Sequence, residues 1–206
     1  MKKILLSAAL LTAAATSAHA QSPSFGIKAG ASLTNAVGGT NSGGSFENKF
    51  GFHGGFVANF PLSDLLSIQP ELLYSMKGFK FSSPNPFDGA LVRSTHTLHY
   101  IDVPVLARLT TGSLFFEAGP QFGYLVAAKF EREGSTNFPA SSTTSRNDYQ
   151  KVDFGYAAGL GYQLPGGAGI GLRYNGGFKN FTKFYNNEGI RNSAFQLYLS
   201  YMLGGK

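Results

Sequence analysis

Cysteine and tryptophan are both absent from this 206-residue chain, and only 14% of its side chains are charged. The lack of cysteine excludes a disulfide framework, so stability has to come from hydrogen bonding and burial alone. The shortage of charge sets it apart from ordinary soluble domains, which carry about 25% charged residues. Its 43% apolar content sets it apart from disordered chains. A net charge of +6 is not a nucleic-acid footprint here, because the 17 basic residues are scattered and no cluster is richer than Lys2-Lys3. Beyond residue 20 no apolar run approaches the ~18 residues of a membrane helix.

The first twenty residues read as a separate object. Met1-Lys2-Lys3 is a short basic start, Ile4 to Ser17 is an apolar stretch of mostly Leu and Ala, and Ala18-His19-Ala20 is an A-x-A cleavage site. This is the pattern of a secretory signal peptide over 1–20, leaving 21–206 as one domain of ordinary size. Its removal takes Lys2 and Lys3 and lowers the net charge by two.

From Ser24 onward the apolar residues recur at every second position, the period of a half-buried strand. Eight such stretches stand out, at 25–33, 50–60, 66–76, 101–109, 114–126, 152–162, 170–174 and 195–203. Their connections alternate in length. Residues 61–64, 110–113 and 164–167 are tight turns of Pro, Gly, Ser and Asp, whereas 34–49, 80–96, 129–150 and 179–192 are long and polar. The expected fold is all-β: an eight-stranded antiparallel transmembrane β-barrel with four long external loops, three short periplasmic turns and both ends periplasmic.

A soluble barrel would alternate in the same way, so the composition of the polar face decides which side meets lipid. That face carries Gly26, Gly30, Gly51, Gly55, Gly119, Gly123, Gly155, Gly159, Gly161, Gly169 and Gly171 beside sparse large polar groups. Glycine weakens a water-facing strand but makes room inside a narrow barrel. The apolar face is continuous. It places Phe60, Phe116, Tyr162 and Tyr201 at one rim and Tyr74, Tyr124, Phe154, Tyr174 and Phe195 towards the other, as two membrane-interface girdles.

Four stretches carry a family resemblance. Tyr100-Ile101-Asp102-Val103-Pro104-Val105-Leu106-Ala107-Arg108 and Phe115-Phe116-Glu117-Ala118-Gly119-Pro120-Gln121-Phe122-Gly123-Tyr124 are supported by Phe25 to Gly30 and Gln69 to Tyr74. They resemble, in order, strand motifs of the outer-membrane β-barrel domain found in porin-family and PorT-like proteins of Gram-negative bacteria. Asp102 and Arg108 stand where Glu and Lys are commoner in that family. Many of its barrels finish on an aromatic residue, whereas this chain finishes Leu203-Gly204-Gly205-Lys206. The resemblance implies the fold and an outer-membrane location, and it does not imply an activity.

Ionisable strand residues fall on the polar face: Lys28, Glu71, Lys77, Asp102, Arg108, Glu117, Asp153 and Arg173. Unpaired charge is costly to bury, so these residues are expected to form an interior network, with Arg108 pairing Glu117 across the 110–113 turn. One reading of Glu71, Asp102, Arg108, Glu117 and Arg173 is a conduction path. The other is a structural plug, because eight strands leave an interior just wide enough for side chains.

Catalytic readings are weak. His96 and His99, near Ser94, have opposite parity and read as polar loop-end histidines. His53 has no neighbouring histidine to share a metal, and Glu71 with Asp102 as a carboxylate pair comes without a sugar-binding cleft. No catalytic residue, cofactor or metal is expected, and Asn180-Phe181-Thr182 matches a glycosylation acceptor only by chance. The leading expectation is a monomeric, non-catalytic envelope protein with a closed interior. Its partners would be anionic lipid headgroups and an envelope protein or surface ligand at loops 129–150 and 179–192, with no nucleic acid. A narrow passive porin is the alternative, and a lipid-modifying or proteolytic barrel stands third.

Overall fold

A computed structural model describes residues 22–38, 44–85, 89, 91–134, 139–182 and 189–203. The signal-peptide reading of 1–20 and the glycine-rich end at 204–206 lie outside the described residues. Ten strands run in chain order: β1 (Ser24–Val37), β2 (Ser45–Glu47), β3 (Lys49–Pro61), β4 (Leu66–Pro84), β5 (Leu91–Thr111), β6 (Leu114–Arg132), β7 (Ser141–Thr144), β8 (Val152–Gln163), β9 (Ala168–Gly177) and β10 (Arg191–Leu203).

Every pairing is antiparallel, and the sheet closes on itself. β1 pairs both β10 and β3, and the ring continues through β4, β5, β6, β8 and β9 back to β10. The two short strands do not enlarge the ring. β2 continues along β4 beyond the end of β3, and β7 continues along β6 beyond the end of β8. The barrel therefore has eight strands, and among them closure pairs every strand on both sides, leaving edges only at the short β2 and β7. Pro70, Pro104 and Pro120 lie inside strands, where a residue without an N–H breaks a ladder. Gaps fall there: in the β4–β5 register between Pro70↔Val105 and Leu73↔Asp102, and in the β5–β6 register between Pro104↔Gln121 and Ala107↔Ala118.

Side chains alternate between the outer surface and the lumen with an unbroken period of two on most strands. On β10, Phe195, Leu197, Leu199 and Tyr201 are exposed, while Gln196, Tyr198 and Ser200 are buried. The outer surface is apolar and the lumen polar, the reverse of a soluble barrel. The proposed girdle residues lie on this surface. Tyr174 is half-buried, packed against Phe195 and Tyr156, and Phe25 meets Phe60 edge to face at the turn end.

The connections 61–66, 111–114 and 163–168 are short, as the turn residues predict. The expected 80–96 loop is different. β4 runs to Pro84 and β5 starts at Leu91, so most of that segment is a paired hairpin. β4, β5 and β6 have 19 to 21 residues, where a bilayer crossing needs about ten. Along the surplus the period of two persists but its chemistry swaps sides. Phe79, Phe81, His96, Leu98, Ala128 and Phe130 turn inward, while Lys80, Thr95, Lys129 and Glu131 turn outward. Outward Lys, Thr and Glu read as loop composition when an apolar outer face is expected. A β-bulge in β5–β6 at His99/Tyr100 marks the changeover.

The cysteine-free background makes the orientation measurable. With Ser142→Cys on β7 and Ser113→Cys in a short turn, a membrane-impermeant maleimide applied to intact cells is expected to label the first and spare the second until the outer membrane is permeabilised. The opposite pattern would invert the barrel.

Candidate functional site in the barrel lumen

The lumen is built in layers, each set by inward positions of several strands. At the turn end, Arg108 donates to Gln69 Oε1 (3.0 Å) and to Gln163 Oε1 (2.9 Å), and its guanidinium lies 3.6 Å above the Phe115 ring. Gln163 in turn donates to the carbonyls of Gly167 and Ala168 and so ties this layer to the last short turn.

The middle layer holds two carboxylates and two cations. Glu71 accepts from Lys28 Nζ (2.6 Å), from both terminal nitrogens of Arg173 (2.7 and 2.8 Å) and from Gln69 Nε2 (2.8 Å). Glu117 accepts from Arg173 Nε (2.7 Å) and from the Tyr198 hydroxyl (2.8 Å). The side chains of Lys28, Glu71, Glu117 and Arg173 are at most 1% exposed. Lys28 also sits 3.9 Å over the Tyr198 ring. Arg173 can bridge both carboxylates because its planar fork presents donors in two directions at once.

Above this, Lys77 Nζ pairs with Asp102 Oδ1 at 2.9 Å and reaches Asp153 Oδ2 at 4.0 Å, while Asn192 donates to Asp153 at 2.9 Å. The cavity beside Asp153 and Asn175 measures only about 10 Å³, room for one water and nothing larger. Tyr100, Leu98, Leu125, Ala128 and Phe79 then form an apolar cap over the charged layers.

One of the expected associations is corrected. Arg108 and Glu117 are directly opposed in the β5–β6 register, yet among the described residues no ion pair joins them. Glu117, Gly159 and Arg173 occupy one row across β6, β8 and β9, and the missing side chain at Gly159 lets Arg173 reach Glu117. Arg108 leans the other way, onto Phe115. Glu71 and Asp102 are not a carboxylate pair, since each serves a different cation.

The histidines take separate roles. His53 shares a 2.9 Å hydrogen bond with Ser32, and among the described residues no group of three His, Asp or Glu is placed to hold a metal. His99 faces outward against Tyr74 (2.6 Å), whereas His96 points inward, so it is not a loop-end residue. The Nδ1 partner of His96 is Tyr149, and the Ser94 hydroxyl donates to the Phe81 carbonyl, so no base and nucleophile meet.

Tyr198, Gln69, Gln163 and Asn192 were missed as members of the network. Glycine was the available signal for Tyr198: it is paired with Gly30 on β1 and Gly171 on β9, and a side chain at Gly171 would collide with its ring. Phe115 opposite Gly161, Asp102 opposite Gly123 and Lys28 opposite Gly55 repeat the arrangement.

Residues 19–183 match the family model described as outer membrane protein beta-barrel domain. The chain belongs to that family. It is accordingly an integral β-barrel of the Gram-negative outer membrane. A comparison with curated proteins found no match. Among solved structures, the neisserial surface protein A is similar at 14% identity, over 88% of this chain and 99% of that one, with a TM-score of 0.48. Ail of Yersinia pestis is similar at 12% identity over 87% and 98%, TM-score 0.45. OprG of Pseudomonas aeruginosa is similar at 9% identity over 90% and 98%, TM-score 0.46.

For this member of the outer membrane protein beta-barrel domain family, the layered lumen sets an order of mutational damage. Arg173→Leu leaves buried Glu117 without its cation and Glu71 with Lys28 alone, and is expected to cost about 3–5 kcal/mol in denaturant titrations of the folded barrel. Arg108→Leu should cost less. A double-mutant cycle should return a coupling of about 1–3 kcal/mol for Arg173 with Glu117 and a clearly smaller one for Arg108 with Glu117, which are linked through Gln69 rather than by a direct ion pair. Equal couplings would contradict the assignment of Glu117 to Arg173.

Proposed function

We propose that this protein is a monomeric, non-catalytic envelope barrel whose lumen is closed and whose work is done by its external half. The observation that carries this reading is the middle layer. Glu71, Glu117, Lys28 and Arg173 reach one another across the lumen, and moving an ion through would require breaking several charge-assisted hydrogen bonds at once. The periplasmic mouth, about 800 Å³ and bordered by Arg108, Asn59 and Gln163, is open but ends on the Arg108–Gln163 layer, below the middle one. The aromatic cap closes the opposite side.

The external half offers surfaces rather than a passage. Lys80, Arg93, Arg146, Lys151, Lys179 and Arg191 are all exposed on or near it. Such a basic rim suits anionic lipid headgroups, and segments 129–150 and 179–192 on a rigid scaffold suit an envelope protein or a surface ligand. Lys183 and Glu188 of the second segment lie outside the described residues.

Planar-bilayer recording of the purified protein tests the closed lumen. The expected result is an insulating bilayer at potentials where porins conduct; stable single-channel steps would replace this reading with the narrow porin.

A further inference from the structure

Above the apolar cap the external end of the barrel encloses a second cavity, of ≈ 380 Å³, separated from the polar lumen by Leu98, Tyr100 and Leu125. Its walls are aromatic: Phe46 from β2, Phe79 and Phe81 from β4, Phe130 from β6, and Tyr149 and Phe181 from the connections that meet at the Tyr149–Thr182 bridge. The rings hold one another in place. Phe79 stacks on His96 with centroids 4.4 Å apart and planes 11° from parallel, and Tyr149 stacks on Phe181 at 6.4 Å and 13°. Among the described residues no charged side chain lines the cavity; its polar groups are Ser94, His96, Thr182 and the Tyr149 hydroxyl.

Neither the membrane nor the plug asks for this arrangement. The strands here have passed beyond the length a bilayer needs, and the barrel is already closed below. The volume falls within the ~300–1,000 Å³ of small-molecule sites, which are mostly apolar with a few placed polar groups. A dry apolar cavity of about 150 Å³ takes benzene, so this one has room for two or three rings. The polar groups narrow the chemistry further. Tyr149 sits 2.6 Å from His96 Nδ1, and burial pushes its hydroxyl up to about 12, so it keeps its proton. The pair carries no anion to attract a cation, and Nε2 is the imidazole's other hydrogen-bonding atom.

We propose that this cavity binds small, flat, neutral molecules of two or three rings, taken from the external medium, with one hydroxyl or carbonyl of the ligand hydrogen-bonded at His96. The proposal goes beyond the closed-barrel reading and is independent of it, since a conducting barrel would carry the same cavity.

The test uses the full chain in liposomes, with naphthalen-2-ol as neutral probe and naphthalene-2-sulfonate as its charged counterpart. Wild type is expected to bind the neutral probe saturably beyond the partitioning seen in empty liposomes, and the sulfonate at least tenfold more weakly. His96→Phe keeps the aromatic wall and should weaken binding roughly three- to tenfold. Ser94→Phe fills the cavity and should weaken it at least tenfold, with heat-modifiable gel mobility confirming that the barrel has folded. Phe130→Trp supplies a fluorescent reporter in a chain that has no tryptophan, and its emission should change along the same saturation curve. Uptake equal to that of empty liposomes, undiminished binding in folded Ser94→Phe, or unchanged emission from the Phe130→Trp variant in the presence of saturable binding would each overturn the proposal.

Discussion

Glu71 accepts hydrogen bonds from donors on β1, β4 and β9, and most of the lumen is arranged around keeping that carboxylate satisfied. Moving an ion from water into a low-dielectric interior costs several kcal/mol even after relaxation, so a lumen walled off by lipid tolerates charge only in neutral sets. The plug obeys this rule. Lys28, Lys77, Arg108 and Arg173 stand against Glu71, Asp102, Glu117 and Asp153, all of them buried, while Lys49, the remaining buried cation among the described residues, stands apart from them at the start of β3 and donates to the Phe50 carbonyl. Arg173 occupies the position from which two carboxylates must be served at once, which a single ammonium does less well than a planar fork.

The second constraint is the solvent outside the barrel. Where the outer surface meets lipid it must be apolar, which leaves polar residues for the lumen. Where the strands rise beyond the lipid, the outer surface meets water and the apolar residues move inside. β4 and β5 cross this boundary without changing their parity, so each carries two opposite amphipathic patterns end to end; on β6 the bulge shifts the register by one residue and turns the even-numbered apolar positions, outward up to Val126, inward at Ala128 and Phe130. Tyr74 and His99, stacked on each other on the outer surface beside the bulge, sit where the two patterns meet.

This explains what the sequence disclosed. Eight strands, their faces and the three short turns were legible because period-two alternation with apolar residues outward runs through every crossing. The upper halves of β4 to β6 were not, because Lys80, Thr95, Lys129 and Glu131 on an outward face look like loop residues to a reader expecting lipid there. The inward parity of Lys28, Glu71, Asp102, Arg108, Glu117, Asp153 and Arg173 was also legible. Their partners were not. Cross-strand register brings Arg108 to Glu117, but the contacts that form span the lumen, joining residues as far apart in sequence as Glu71 and Arg173. The opposite parity of His96 and His99 was readable and separates them correctly, while the ring cluster around His96 depends on Tyr149 and Phe181, which no strand pattern positions.

The glycines account for the difference between the two halves of the lumen. Eight strands give an interior of nearly fixed width, so a large inward side chain fits where a neighbour in its row is small. In the plug that condition holds: Tyr198 lies between Gly30 and Gly171, Phe115 faces Gly161, and Gly159 lies between Glu117 and Arg173. Each bulky group then lies across its glycine and meets a charged partner in the lumen, Tyr198 at Glu117 and Phe115 under Arg108. Above the cap the paired rows that carry the rings contain no glycine among the described residues, although Gly44 lies against the Phe81 ring beside β2; Phe79, His96, Phe130 and Thr143 follow one another around the wall, as do Phe46, Phe81 and Ser94. Rings crowded on adjacent strands lean on one another instead of crossing the lumen, and the space they do not cross remains as the aromatic cavity.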